Sequence, residues 1–259
     1  MEPVLVSLET GVLRVTLNRP ETLNAFTAAM HEALAAAMAR AESEAAVRCL
    51  LISGAGRAFS AGQDLGERDM TAARIDLGAG LDTRYNPLVR RMRALPKPIV
   101  CAVNGVAAGA GANFALACDI VLAARSACFI QAFVKIGLVP DCGGSYFLPR
   151  LAGTQRAMAL AMTGDRLSAE DAERWGLIWK CVDDAQLKSE SEKLSLQLAS
   201  GPTRSLGLIK KALYASANND LAAQLDLERD LQREAGSGRD YREGVAAFLE
   251  KRKPDFKGA

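Results

Sequence analysis

The sequence predicts an α/β fold, with strands and helices alternating over residues 1–185 and a purely helical region over 186–259. Two observations carry this. Short apolar runs bounded by Gly, Asn or Pro, such as Cys49–Ser53 and Ile99–Val103, read as buried strands, and segments of helical period lie between them. Beyond Val182 only helical patterns recur.

In chain order, Val4–Leu8 and Val12–Leu17 are β-rich, and the Glu9-Thr10-Gly11 turn predicts a hairpin that Asn18-Arg19-Pro20 ends. Ala25 to Glu44 is alanine-rich, with Phe26, Met30, Leu34 and Met38 at helical spacing. The Cys49–Ser53 strand runs into Gly54-Ala55-Gly56. Residues 66–84, with Gly78-Ala79-Gly80, carry no reliable conformational signal and are expected to be mobile and to shape the acyl pocket. Arg84–Leu95 predicts a helix stopped by Pro96-Lys97-Pro98. After Ile99–Val103 a small-residue helix is expected to run to Ala117, followed by a strand over Asp119–Ala123.

Helical pieces are predicted at Gly143–Leu151 and Gln155–Met162. Ser168-Ala169-Glu170-Asp171 resembles a capping box with Asp in the Glu position. Leu177–Val182 reads as a last strand. Ala185–Ala199, Thr203–Ala217, Leu221–Ala235 and Arg239–Lys251 read as successive helices, and the charged tail is expected to be ordered by contacts.

Composition excludes several classes. Of the 259 residues 49% are hydrophobic and 24% charged, which fits a real core and not a disordered chain. Lys plus Arg (32) nearly balances Asp plus Glu (30), so nothing draws the whole chain to nucleic acid or membrane. No apolar stretch approaches the ~18 residues of a membrane span, and the start lacks a signal-peptide pattern. Six cysteines without a CxxC pair predict reduced thiols in a cytoplasmic setting. A single histidine, His31, excludes His dyads, triads and the usual histidine metal sites, so no metal is expected. His31 itself is expected to be exposed or hydrogen-bonded.

The unusual segment is VAAGAGANFALAC (106–118). Two readings fit it: tight helix–sheet packing, or a helix start whose N–H groups meet a ligand's developing negative charge.

Several stretches are similar to the crotonase, or enoyl-CoA hydratase/isomerase, superfamily: GAGRAFSAGQDL (54–65), PKPIVCAVNGVAAGAGANFALACDIVLA (96–123), FVKIGLVPDCGGSYFLPRLAG (133–153), TGDRLSAEDAERWGLI (163–178) and REGVAAFLEKRKPDF (242–256). The resemblance spans nearly the whole chain. It implies a ββα spiral core and a helical C-terminal trimerisation region, assembled as a homotrimer or a dimer of trimers. It also implies an acyl-CoA substrate and no cofactor beyond that substrate's coenzyme A; the balanced charge argues against a nucleic-acid partner, and no membrane partner is expected.

Chemistry alpha to a thioester leaves negative charge on the carbonyl oxygen, and two backbone N–H donors can hold it. By resemblance these are Ala61 and Ala110, the latter standing where the family usually has glycine. The two glutamates of typical hydratases fall on Asn113 and Phe133, so ordinary hydration is disfavoured. Asp141 in GLVPDCGG falls where isomerase-type members carry their acid. Burial among Phe133, Val134, Val139, Tyr146 and Phe147 would raise its pKa toward a useful range. The competing reading makes Asp141 a helix cap bonded to Gly143 or Gly144.

Asn113, Phe133, Val139 and Tyr146 are the expected pocket residues. Asp64 either orders the oxyanion loop or contacts coenzyme A. Phe248 and Lys251 resemble positions at the adenine end of coenzyme A, contributed by a neighbouring subunit, or are a core phenylalanine and a solvent lysine. Arg57, Arg84 and Arg90 are either phosphate contacts or plain surface residues. Cys142 lacks a histidine partner, which argues against a nucleophile, and Trp175 and Trp179 read as packing residues. The run over 85–127 is similar to isomerases of the family acting on a ring epoxide or a 3-enoyl thioester. Other crotonase-type reactions, such as hydration or thioester hydrolysis, and non-catalytic coenzyme A or RNA binding are the alternatives.

Overall fold

A computed structural model describes residues 2–67 and 76–259. Strands β1 (Val4–Glu9) and β2 (Val12–Leu17) form the expected antiparallel hairpin. From β2 the chain passes through helix α1 (Ala28–Ser43) to β3 (Cys49–Gly54), which pairs parallel with β2.

A spiral follows. Strands β3, β5 (Ile99–Val103) and β7 (Ile120–Ala124) lie side by side in one sheet. Each leads into a three-residue strand of a second sheet: β4 (Ala58–Ser60), β6 (Val106–Ala108) and β8 (Cys128–Ile130). Helices then return the chain to the first sheet. The turns use α2 (Leu77–Gly80) and α3 (Asn86–Ala94), then α4 (Ala110–Leu116). After α5 (Gly144–Ala152) and α6 (Thr154–Thr163), β9 (Arg166–Ser168) closes the second sheet antiparallel to β8. Helix α7 (Ala169–Arg174) leads to β10 (Lys180–Val182), parallel to β7. The orders are β1-β2-β3-β5-β7-β10 and β4-β6-β8-β9.

The burial patterns follow from this placement. Every residue of the central strand β5 is buried, as in a parallel sheet covered on both faces. The edge strand β1 alternates. Phe26, Phe59 and Phe114 meet between the sheets, with Phe114 edge-on to Phe26 at 5.4 Å.

The four strands of the second sheet carry no sequence signal of their own, being too short to show a period. Two expected helix starts move for the same reason. Residues 106–108 form β6, so α4 begins at Ala110. Phe26 pairs with the loop after β4, so α1 begins only at Ala28, with Thr27 as its N-cap. Of the indeterminate 66–84 stretch, 68–75 lie outside the described residues. Asp76 caps α2, and a π-helical turn over Leu81–Tyr85 runs into α3. At α7, Ser168 Oγ accepts from Asp171 N–H and donates to the Asp171 carboxylate, one half of the expected box.

Helix α8 (Leu187–Ala199) packs across β2, β3, β5 and β7. Helices α9 (Thr203–Ala215), α10 (Leu221–Gly236) and α11 (Arg239–Leu249) follow it, with α10 packed against both α9 and α11. Lys210 of α9 reaches the core, bonding Asp119 Oδ2 at 2.9 Å and the Met92 carbonyl at 2.8 Å. The tail is held by Asp240, which accepts from Lys257 and Gly258 N–H, and by Arg48, which donates to the Phe256 carbonyl. No helix among the described residues is long and apolar enough to cross a membrane.

Candidate active site

Three segments converge where the spiral passes from β4 and β6 to the loop before α5. The first is the loop 61–64. Phe26 N–H donates to the Gly62 carbonyl at 2.7 Å, and Asp64 N–H donates to the Phe26 carbonyl at 2.9 Å. In this parallel bridge both bonds of Phe26 go to the neighbours of Gln63, so the N–H of Gln63 faces away from Phe26. The opposite side is where α4 begins. A Cβ at Gly62, whose φ is +90°, would lie 2.8 Å from the Ala108 carbonyl oxygen and 3.2 Å from the Ala110 nitrogen. Only glycine permits that approach.

This geometry corrects the expected donor at Ala61. Its N–H donates to the Leu23 carbonyl at 2.9 Å and is engaged in holding the loop. The N–H groups of Gln63 and Ala110 have no acceptor among the described residues. The Gln63 side chain is pinned as well: Tyr85 Oη donates to its Oε1 at 2.8 Å, and its Nε2 donates to the Phe26 carbonyl at 3.1 Å. Asp64 takes the loop-ordering role, accepting from Arg19 at 2.9 Å and from Gly66 N–H at 3.0 Å.

The second segment is α4 itself. Phe133 is buried, and its ring lies 3.8 Å from where a Cβ of Gly109 would stand, beside the start of the helix. Asn113, three residues into α4, is fully buried. Its Nδ2 donates to the Asp141 carbonyl at 2.8 Å, and its Oδ1 accepts from Gln131 Nε2 at 2.9 Å. Asn113 is therefore a buried link and not the pocket wall expected of it.

The third segment carries Asp141, which is half-buried. Gly144 N–H donates to the Asp141 backbone carbonyl at 2.8 Å, and no side chain caps α5. The helix-cap reading of Asp141 fails there. Cys142 is buried with φ of +50°, and burial together with the Asp141 charge pushes its thiol well up, which suits an inert residue.

The remaining expected pocket residues are exposed. Val139 is 78% exposed. Tyr146 is stacked beneath Arg150 and borders a separate cleft with Arg93, Trp179, Leu213 and Tyr214. Trp179 is exposed in that cleft instead of packed. Phe248 is 82% exposed on a groove formed by α9, α10, α11 and the tail. Lys251 is exposed at the end of the same helix, and Arg57, Arg84 and Arg90 are exposed too.

His31 departs from expectation. It is buried between Phe26 (5.4 Å) and Tyr85 (4.2 Å), with neither ring nitrogen hydrogen-bonded among the described residues. Burial, with the Arg84 charge adding, pushes its pKa down to about 4. Sequence reasoning also missed Gln63, Tyr85, Gln131 and the buried Asn24, whose amide bonds the Ala55 and Ala58 carbonyls. None of them stands in a motif that marks its partner. Among the described residues no group of three or more His, Cys, Asp and Glu side chains forms a candidate metal site.

The fold is the crotonase ββα spiral, and the chain belongs to the enoyl-CoA hydratase/isomerase family, whose model matches residues 7–259. It is 56% identical to the 1,2-epoxyphenylacetyl-CoA isomerase of Escherichia coli (strain K12), over all of this chain and 99% of that one. It is 37% identical to the trans-2-decenoyl-[acyl-carrier-protein] isomerase of Streptococcus mutans, over 98% of each chain. A crystal structure of an enoyl-CoA hydratase/isomerase from Mycobacterium abscessus superposes with a TM-score of 0.93 at 37% identity, covering 99% of this chain and 100% of that one.

Proposed function

We propose that the protein is an acyl-CoA isomerase in which one carboxylate, Asp141, moves the proton. The observation that carries this reading is the state of the two positions where hydratases hold acids. The Asn113 amide is committed on both sides, and Phe133 is an apolar ring. Asp141 is the acid whose backbone is bonded to the first turn of α4.

In the mechanism, Asp141 removes a proton alpha to the thioester, and the charge passes to the carbonyl oxygen. The N–H groups of Gln63 and Ala110 receive it; one such donor contributes about 2.7–4 kcal/mol. For a 3-enoyl-CoA, the C3–C4 double bond moves to C2–C3 as Asp141 returns the proton to C4. For a 1,2-epoxyphenylacetyl-CoA, the same enolate supports reorganisation of the epoxide C–O bond toward the seven-membered oxepin, and the proton held by Asp141 returns to a ring carbon, so that the product is an isomer of the substrate. The 56% identity to the Escherichia coli isomerase supports the epoxide substrate. Coenzyme A enters only with the substrate. Residues 186–259 form the oligomer contacts of a cytoplasmic homotrimer or dimer of trimers, and Phe248 and Lys251 reach a neighbour's coenzyme A. The exposed Ile209, Leu213, Leu221, Leu225, Phe248 and Leu249 support that assembly.

The test is turnover of a 3-enoyl-CoA and of 1,2-epoxyphenylacetyl-CoA by the wild type and by Asp141→Asn. The wild type is expected to convert at least one, and the variant to lose about 10²–10⁴-fold. Unchanged turnover in the variant removes Asp141 from the mechanism, and efficient hydration of crotonyl-CoA overturns the isomerase reading.

A further inference from the structure

We infer that Gln131 and Asn113 form a directional pair of amides that positions Asp141, an inference that rests on the reading of Asp141 as the base. The direction is forced by chemistry. The Asp141 backbone carbonyl can only accept, so the amide of Asn113 must present its NH2 there, 2.8 Å away. That leaves Asn113 Oδ1 pointing the other way, where only a donor satisfies it. Gln131 Nε2 supplies the donor at 2.9 Å, with both side chains buried.

The surroundings are built around this pair. A Cβ at Gly144 would overlap Asn113 Nδ2 and lie 2.5 Å from its Cγ, so glycine alone lets the amide press against the start of α5. The Asp141 carbonyl takes a second bond from Gly144 N–H, which closes the loop around the same oxygen. Cys142, the next residue, is held in a left-handed conformation that a cysteine rarely adopts. The Asn113 bond thus fixes a loop whose own conformation is unfavourable. It fixes it against the helix that begins with the Ala110 donor, three residues away. An ionised acid at position 113 could not do this, because a carboxylate has no proton to give.

Asn113 and Gln131 are positioning residues, and their loss should act on kcat. Asn113→Leu removes both bonds and is expected to lower kcat about 30- to 100-fold, since misplacement by ~1 Å costs about that much. Affinity for unreactive hexanoyl-CoA should stay within threefold. Asn113→Asp gives a sharper signature. When protonated, the introduced carboxyl donates to the Asp141 carbonyl; when ionised, it repels that oxygen. The variant should therefore gain a descending limb in its pH–rate profile that the wild type lacks. Among the described residues, the loop that Asn113 holds carries the ionisable groups Asp141 and Cys142, and Cys118 acts on Cys142 from beyond the end of α4. All variants are measured beside Asp141→Asn. If Asp141→Asn is inactive while Asn113→Leu keeps kcat within threefold, the positioning role is overturned. If Asn113→Leu does not fold, a wild-type pH profile in Asn113→Asp overturns it equally. An active Asp141→Asn removes the base and the inference together.

Discussion

The backbone N–H of Ala61 is bonded to the carbonyl of Leu23 across 2.9 Å, while the N–H of Gln63, two residues on, has no acceptor among the described residues. In the proposed mechanism this single backbone hydrogen bond selects which of two nearby N–H groups receives the thioester's charge. Gln63→Pro deletes the N–H, while Gln63→Ala keeps it and loses only the side-chain ties to Tyr85, Phe26 and the Asp64 carbonyl. The proline variant should lose about 10²–10³ in kcat relative to the alanine variant, the cost of one oxyanion donor. Steady-state kinetics on a 3-enoyl-CoA, with thermal unfolding to confirm folding, checks this. Equal kcat in the two variants rules out the Gln63 donor.

Lys210 and Asp119 join the C-terminal helices to the core. Lys210 is buried, and burial lowers its pKa against the pull of Asp119. The same carboxylate accepts from Ile99 N–H at 2.8 Å and from the Tyr214 hydroxyl. Asp119→Ala leaves a buried ammonium without its counter-charge and should destabilise by about 3–5 kcal/mol. Adding Lys210→Met should recover a good part of the loss. Urea unfolding of both variants is the measurement, and an additive double variant would show that the pair is not coupled.

His31 makes stability depend on pH. Its folded pKa is about 4, below the ordinary histidine value of 6.5. The unfolded chain therefore binds the proton more readily. The contribution is fully present above pH 6.5, falls as pH drops toward 4, and levels off below that. The span corresponds to about 3 kcal/mol. His31→Phe keeps an aromatic ring on Phe26 and removes the proton site. Denaturant midpoints from pH 7.5 to 4.5 should decline less steeply in the variant, and parallel curves would dismiss the histidine as the cause.

The sequence by itself determined the strands and helices that carry their own period. Ile99–Val103 reads as a buried strand because all five residues suit a parallel sheet covered on both faces, and the four long C-terminal helices announce themselves by spacing. It also determined the chemistry available: a lone histidine, no acid at 113 or 133, and Asp141 within a recognisable motif. Only the tertiary structure decided what depends on partners distant in the chain. The second sheet exists because three-residue strands find each other, and no period can show in three residues. Ala61 and Gln63 look equally able to donate until Leu23, 38 and 40 positions earlier in the chain, engages one of them. Tyr146 lies five residues after Asp141, yet the turn into α5 carries it to another cleft. Asn113 reads as a missing acid in sequence. In the fold it is the donor that holds the acid's own backbone, a role set by a hydrogen bond across 28 residues.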